Sequence, residues 1–372
     1  MAHEGVLALK INPFAPDARR RRLAPVALAA ALLPLALAGC VDSDREASAA
    51  VESDCPWAPD ESITGEVRIA WQTIPNADVV VKDLGLLEAC APKATIKWVQ
   101  AASGGDVLKY YGSGEVDLGL MGSAPATKSA SEPLVDDIDI KVIWIHDVIG
   151  DAESLVVRDP GIADVTGLAG KKVAVPFSST AHYSLLQALA EEGLQAGKDV
   201  EVINLAPEQM PAAWQGDEID AAWVWEPAQS QLIADGGTRI LSSADTAELG
   251  RPTFDVGTIS TAFAAANPAF VDLWARVQDH AVKLIGTDPD AAAESIAVAL
   301  GVTPDEAKAQ SSGLLFLDAA TQAGADYLGG KLGEDLFVTA GFLGELGEID
   351  AVAPKVDYAA HVDAGPAQRA DR

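Results

Sequence analysis

Strand-like and helix-like stretches alternate from Gly65 onward, with short loops rich in Gly, Pro and Ser between them. No other feature restricts the fold as much, because repeated strand–helix units imply an α/β protein. Residues 67–71 alternate as a strand does, and residues 79–89 fit a helix ending near Pro92. Residues 95–99 and 116–121 are further strands, with a helix at 106–111 between them and another starting at Ser123. Residues 140–145 and 154–158 are also strands, the second at a crossing between lobes. A second cycle opens at 172–176 and runs through a helix at 181–192, strands at 200–204 and 221–225, and short helices at 207–216 and 227–234. Residues 254–262 form the expected return strand, and from Pro268 the chain is mostly helical, punctuated by Pro and Gly. The pattern predicts two lobes with largely parallel sheets, joined by a hinge around a cleft. Lobe I is expected at 63–154 plus 256–362 and lobe II at 155–255, with a disordered tail at 363–372.

The first forty residues have a different character. Arg19, Arg20, Arg21 and Arg22 precede an uncharged Ala- and Leu-rich run that ends at Leu37-Ala38-Gly39-Cys40. A basic flank, a short apolar core and small residues at its end make a secretory signal. The run is short for a membrane span, which needs about 20 apolar residues. A Cys after Leu-Ala-Gly resembles the lipobox of bacterial lipoproteins, in which that Cys becomes the lipid-bearing N-terminus. Residues 1–39 are therefore expected to be a signal peptide and Cys40 the lipid acceptor. The small, acidic residues 40–62 are expected to be a flexible tether on the extracytoplasmic face of the cell membrane. An ordinary cleavage site with a chance Cys, or a retained helix, are the alternatives. Setting Cys40 aside leaves Cys55 and Cys90, an even number suited to a disulfide in an oxidising compartment, or else two buried thiols.

A net charge of −29 argues against nucleic acid or an anionic membrane surface as partner, since both require a basic footprint. It leaves the sign of a small ligand open, because local groups set that.

Candidate chemistry gathers at the strand-to-helix junctions, outside the carboxyl ends of strands where open α/β sheets bind ligands. Ser103-Gly104-Gly105, Gly122-Ser123-Ala124-Pro125 and Ser178-Ser179-Thr180 each follow a strand and open a helix, and Glu226-Pro227 follows a fourth strand. Helix N-termini carry unpaired N–H groups and partial positive charge, and small residues let an oxyanion approach them without a Lys or Arg. The alternative at each junction is an ordinary N-cap. Trp225 stands at a strand end where it can line a cleft, whereas Trp223 fits a core. Glu226 and Asp255 are carboxylates suited to an ammonium, or to a cap and a structural salt bridge. Catalytic motifs are poor. Ser178 or Ser179 with His182 and Asp255 can be drawn as a hydrolase triad, but no Gly-x-Ser-x-Gly elbow surrounds either Ser. The histidines show no metal spacing, and no cofactor fingerprint is present.

The stretch Val175-Pro176-Phe177-Ser178-Ser179-Thr180-Ala181-His182-Tyr183 resembles the second-lobe motif of taurine-binding proteins of ATP-driven importers. So do Ala212-Ala213-Trp214-Gln215 and Trp223-Val224-Trp225-Glu226-Pro227-Ala228, while Ala70-Trp71-Gln72-Thr73 and Gly122-Ser123-Ala124-Pro125 are similar to the first-lobe signature. The likeness spans residues 65–362, and the wider class includes binders of alkanesulfonates, nitrate and pyrimidine precursors. It implies a type II periplasmic-binding-protein-like fold, no catalysis and no cofactor, with an ABC permease and its ATPase as partners. It also implies taurine, or another sulfonate or small zwitterion, between the lobes. The sulfonate is expected at Ser103, Gly122, Ser123 and Thr180, and the ammonium at Asp255, Glu226 or the aromatics. Gln72, His182, Tyr183 and Trp225 stand in the matching motifs and join the expected ligand shell. Gly257-Thr258-Ile259-Ser260 follows the return strand's start where bulkier residues are expected, a departure that bears on pocket size.

Overall fold

In the computed structural model, which describes residues 54–371, the strands divide into two mixed sheets. The signal segment and Cys40 lie outside the described residues. The first sheet contains β1 (Thr64–Trp71), β2 (Lys93–Gln100), β3 (Leu118–Gly122), β4 (Ile140–Ile149), β10 (Phe254–Ser260) and β11 (Leu314–Leu315), in the order β11-β4-β10-β3-β1-β2. The second contains β5 (Glu153–Val157), β6 (Lys172–Val175), β7 (Glu201–Asn204), β8 (Ala221–Trp225) and β9 (Thr238–Ser242), in the order β7-β6-β8-β5-β9.

The expectation of largely parallel sheets needs correction. In each sheet the first strand after a crossing runs antiparallel to its neighbours: β5 against β8 and β9, and β10 against β3 and β4. Parallel pairing survives where helices connect the strands, at β1–β2, β1–β3, β6–β7 and β6–β8. The sheets also place the lobe boundaries at Glu153 and Phe254. The chain passes between them after β4 and before β10, where Ile149 N–H donates to Thr253 O at 3.0 Å. Gly313 is pressed against this hinge: its carbonyl accepts from Gly150 and Ala152, and a Cβ there would stand 2.4 Å from Ala152 N.

Period-two geometry sorts the second lobe into two cores, one on each face of its sheet. Leu155, Val157, Val173, Val175 and Trp223 pack on one face with Leu185, while Val156, Ala174, Ala222 and Val224 pack on the other with Met210 and Trp214. The first lobe has one larger core, into which Trp144, Phe270, Trp274 and Tyr358 are fully buried.

Helices α1 (Ala77–Asp83) and α2 (Leu86–Cys90) occupy the stretch expected as one helix, because Gly85 adopts φ +61 and turns the chain between them. Helices α3 (Gly104–Ser113), α4 (Ser123–Ser129) and α5 (Thr180–Glu191) start where the sequence places them. Strands β9 and β11 were not anticipated.

Both ends of the folded part are longer than expected. Residues from Cys55 onward belong to the fold rather than to a tether. Cys55 is disulfide-bonded to Cys90 with Cα atoms 4.9 Å apart, and Trp57 lies under the Arg276 guanidinium at 4.0 Å. The tail is ordered too: Gly365–Ala370 is a helix whose Pro366, Ala367 and Ala370 are buried. Its apolar face and the Arg369–Asp272 ion pair dock it on lobe I, and a helix start with Pro in its first turn is a signal the composition of the tail obscured. Among the described residues no helix is long and apolar enough to cross a membrane.

Candidate functional site

The N-termini of α3, α4 and α5 meet at a narrow cleft whose walls come from both lobes. Each helix follows a strand directly, so its first turn sits at the sheet's carboxyl edge. Ser103 precedes α3 in extended backbone, leaving Gly104 on the cavity wall. Ser179 caps α5: its hydroxyl accepts from His182 N–H at 3.1 Å and donates to Pro176 O at 2.6 Å. Ser178, at φ +55, makes the turn that brings the next two residues to the cavity.

The lobes touch here. A Cβ on Gly122 would stand 2.6 Å from Thr180 Cγ2 across the cleft, and one on Gly105 would stand 3.2 Å from Phe177 O. Lys128 of α4 donates to Ser178 Oγ at 3.2 Å and pairs with Glu348 at 2.6 Å. The molecule is therefore in a closed form.

Of the residues expected at the site, Gln72, Gly122, Thr180, Trp225, Glu226 and Asp255 line the cavity. Gln72 is oriented by its amide, which donates to Leu120 O at 3.0 Å. Ser103 is buried next to the lining residue Gly104. The other three have structural roles. Ser123 Oγ accepts from Phe254 N–H at 3.2 Å and ties β10 to α4. The His182 ring stacks on Phe177 at 4.6 Å, and burial lowers its pKa to about 4. Tyr183 accepts from Gln187 at 2.7 Å and packs edge-on against Phe342. Sequence spacing placed these side chains on the right helix turns but could not say which way each would point.

No hydrolase triad assembles. Ser178 Oγ faces Lys128, Ser179 Oγ is engaged with backbone, and Asp255 meets Asp147 rather than His182. The glycine departure leaves the cavity alone as well. The space beside Gly257 is filled by Trp274 and Trp144, with contacts a Cβ would make at 2.7 and 3.0 Å, and Thr258 donates to Gly119 O.

The sequence reading missed Glu153 and Asp147. Glu153 lines the cavity, 1% exposed, and accepts from Thr180 and Ser243 hydroxyls at 2.6 Å each. Asp147 is wholly buried behind Asp255 and accepts from Asn76 at 3.2 Å. Burial pushes Asp147 and Glu153 up to about 7, opposed by these hydrogen bonds. Burial, then the charges of Asp147 and Glu153, hold Asp255 well above the usual carboxylate range, and burial also raises Glu226. A signal was available: each missed acid interrupts an apolar strand run next to the crossing, where a charge needs a reason.

The remaining walls are apolar, from Ile74, Pro75, Ile149, Ala152 and Leu314. Among the described residues no Lys, Arg or His lines the cavity, and no acidic, His or Cys group is arranged to hold a metal ion. The cavity thus combines helix N-termini, whose partial positive charge suits an oxyanion, with carboxylates suited to a cation.

A model of the NMT1-like family matches residues 69–300. The taurine-binding periplasmic protein of Escherichia coli (strain K12) is 34% identical over 275 residues, covering 72% of this chain and 82% of that protein. The alkanesulfonate-binding protein SsuA from Xanthomonas axonopodis pv. citri, solved bound to MOPS, superposes with a TM-score of 0.65 at 22% identity, over 82% of this chain and 99% of that one. The periplasmic nitrate-binding protein NrtA from Synechocystis PCC 6803 gives a TM-score of 0.67 at 14% identity, over 84% and 89% of the two chains. The two structures share the two-lobed binding-protein fold expected from the sequence.

Proposed function

This chain belongs to the NMT1-like family, and from that premise we propose that it is the extracytoplasmic solute-binding component of an ABC importer, with taurine as its ligand. The observation that carries the proposal is a closed cavity with helix N-termini and three carboxylates on its walls and, among the described residues, no basic side chain. A sulfonate accepts from the N–H groups at the starts of α3 and α5, around Gly104, Ser179 and Thr180. The ammonium of the same molecule pairs with Asp255 and Glu226, and the Trp225 ring adds a cation–π contact. A ligand of one charge satisfies only half of such a site, so a zwitterion is favoured over a plain alkanesulfonate.

Gln72, Gly104, Gly122 and Asp255 come from lobe I, while Glu153, Thr180, Trp225 and Glu226 come from lobe II. A ligand touching both sets stabilises the closed form over the open one by its differential contacts. The permease, driven by its ATPase, reads that closed shape and receives the ligand. No bond in the ligand is made or broken. Cys40, outside the described residues, carries the lipid that holds the protein at the membrane, with the signal peptide removed.

Calorimetry with taurine and ethanesulfonate tests the ligand. Taurine is expected to bind more tightly, and Asp255→Ala to weaken taurine by about tenfold or more while changing ethanesulfonate little. Equal losses for both ligands contradict the ammonium assignment, and absence of binding to either removes the proposal. Mass analysis of the membrane-extracted protein tests the anchor: a mature chain beginning at an unmodified residue refutes it.

A further inference from the structure

Asp147 and Asp255 are register partners on the antiparallel β4–β10 ladder, within hydrogen-bonding reach of one another. Asp147 is wholly buried and Asp255 is 6% exposed. Two ionised carboxylates in contact repel strongly in so dry a place, whereas one proton between them turns the contact into a hydrogen bond. Among the described residues no cation relieves the pair: the charged groups acting on it are its own members and Glu153. The surrounding elements supply neutral groups. Asn76, before α1, donates to Asp147 Oδ2; β3 places Gly122 beside Asp255; and His146, next along β4, is packed against Trp274 and kept neutral by burial. Asp147 Oδ1 is buried and has no donor from any side chain or backbone group among the described residues. Of the two acids only Asp255 reaches the cavity.

We propose that Asp147 and Asp255 share one proton in the empty site and that an ammonium-bearing ligand displaces it, so that zwitterionic sulfonates bind with release of a proton. The inference rests on the ligand class given above and adds its regulation. The balance is simple. A ligand N–H donates to the Asp255 carboxylate, the shared proton leaves to solvent, and the pair's charge goes from −1 to −2 as the ammonium brings +1. An alkanesulfonate without an ammonium brings nothing to replace the proton and leaves it in place. Asp147 is thus a positioning residue for selectivity, acting through Asp255. Burial raises both acids, so that the last proton stays on the pair at neutral pH.

Titration calorimetry at about pH 7.5, in buffers of contrasting ionisation enthalpy, counts the protons. Taurine is expected to release about one, and ethanesulfonate none. Asp147→Asn substitutes a permanent N–H donor for the shared proton, so this variant is expected to bind taurine with no release. Taurine binding without proton release in the unaltered protein overturns the inference and leaves the proposed function standing. Release that persists in the variant overturns the part given to Asp147. Should the variant not fold, the unaltered protein decides alone. Its taurine Kd is expected to tighten about tenfold from pH 7 to pH 8 while that for ethanesulfonate stays flat; a flat taurine curve refutes the shared proton. If neither ligand binds under any condition, the ligand class itself is wrong.

Discussion

Gly122→Ala isolates the energy of closure from the energy of folding. Gly122 has φ −68 and ψ 161, a conformation alanine adopts freely, so the open protein bears no backbone penalty. In the closed form the new methyl stands 2.6 Å from Thr180 Cγ2 but 3.4 and 3.5 Å from Thr180 Oγ1 and Cβ, so the clash is with one carbon. That carbon cannot turn away easily, because Thr180 Oγ1 is held by Glu153 at 2.6 Å. Carbon–carbon contacts are most favourable near 3.5–4.0 Å, leaving a shortfall of about 1 Å. Overpacking of this size costs about 1–3 kcal/mol, which weakens ligand binding about 5- to 150-fold. Calorimetry with taurine measures the loss, and the thermal midpoint without ligand, expected to be unchanged, shows that folding is unaffected. Thr180→Ser removes the offending methyl and keeps the hydroxyl, so the double variant should recover most of the affinity. Wild-type affinity in Gly122→Ala, or a loss that Thr180→Ser does not rescue, refutes the steric account.

Lys128→Met deletes the contact to Ser178 across the cleft, at a cost of about 1–2 kcal/mol, and is expected to speed ligand release about 5- to 30-fold. Stopped-flow tryptophan fluorescence reads this, and an unchanged release rate rejects a latch. Replacing Cys55 and Cys90 by Ser opens a loop of sequence separation 35, and chain entropy puts the loss of stability at about 3–4 kcal/mol. The shift in denaturant midpoint measures it, with taurine affinity unchanged because neither Cys lines the cavity. The raised carboxyls also set a pH dependence. Asp147 and Glu153 go from ordinary values of 3.8 and 4.5 to about 7 in the folded protein, so the fold binds more protons than the unfolded chain between those limits. Their stabilising contribution is full below about pH 4 and is lost as pH rises through about 7. The ligand-free thermal midpoint should therefore fall from pH 5 to pH 8, less steeply in Asp147→Asn and with taurine bound. A midpoint that rises across that range contradicts the sign.

Periodicity carried much of the fold. Strands β1, β2 and β6, the caps before α3 and α5, and the crossings near residues 150 and 254 were all legible, because each depends on local pattern. What escaped depends on partners distant in sequence. Asp147 and Asp255 are neighbours only because β10 inserts between β3 and β4. Strand β9 is a partly exposed edge with an Arg in it, so it shows no apolar run. The break between α1 and α2 hides within one continuous apolar pattern. At the site, the backbone positions of the helix starts were legible and the directions of His182, Tyr183 and Ser123 were not. Packing against Phe177, Phe342 and β10 decides those directions.

The Cys55–Cys90 bridge joins the start of the fold to the buried interior of lobe I, where Cys90 is 0% exposed. Any pull on the chain ahead of Cys55 is delivered through a covalent bond into that lobe alone. The load path bypasses both crossings, so tension neither opens the hinge nor resists its closing. Lobe II hangs mechanically idle, free to swing under any such pull.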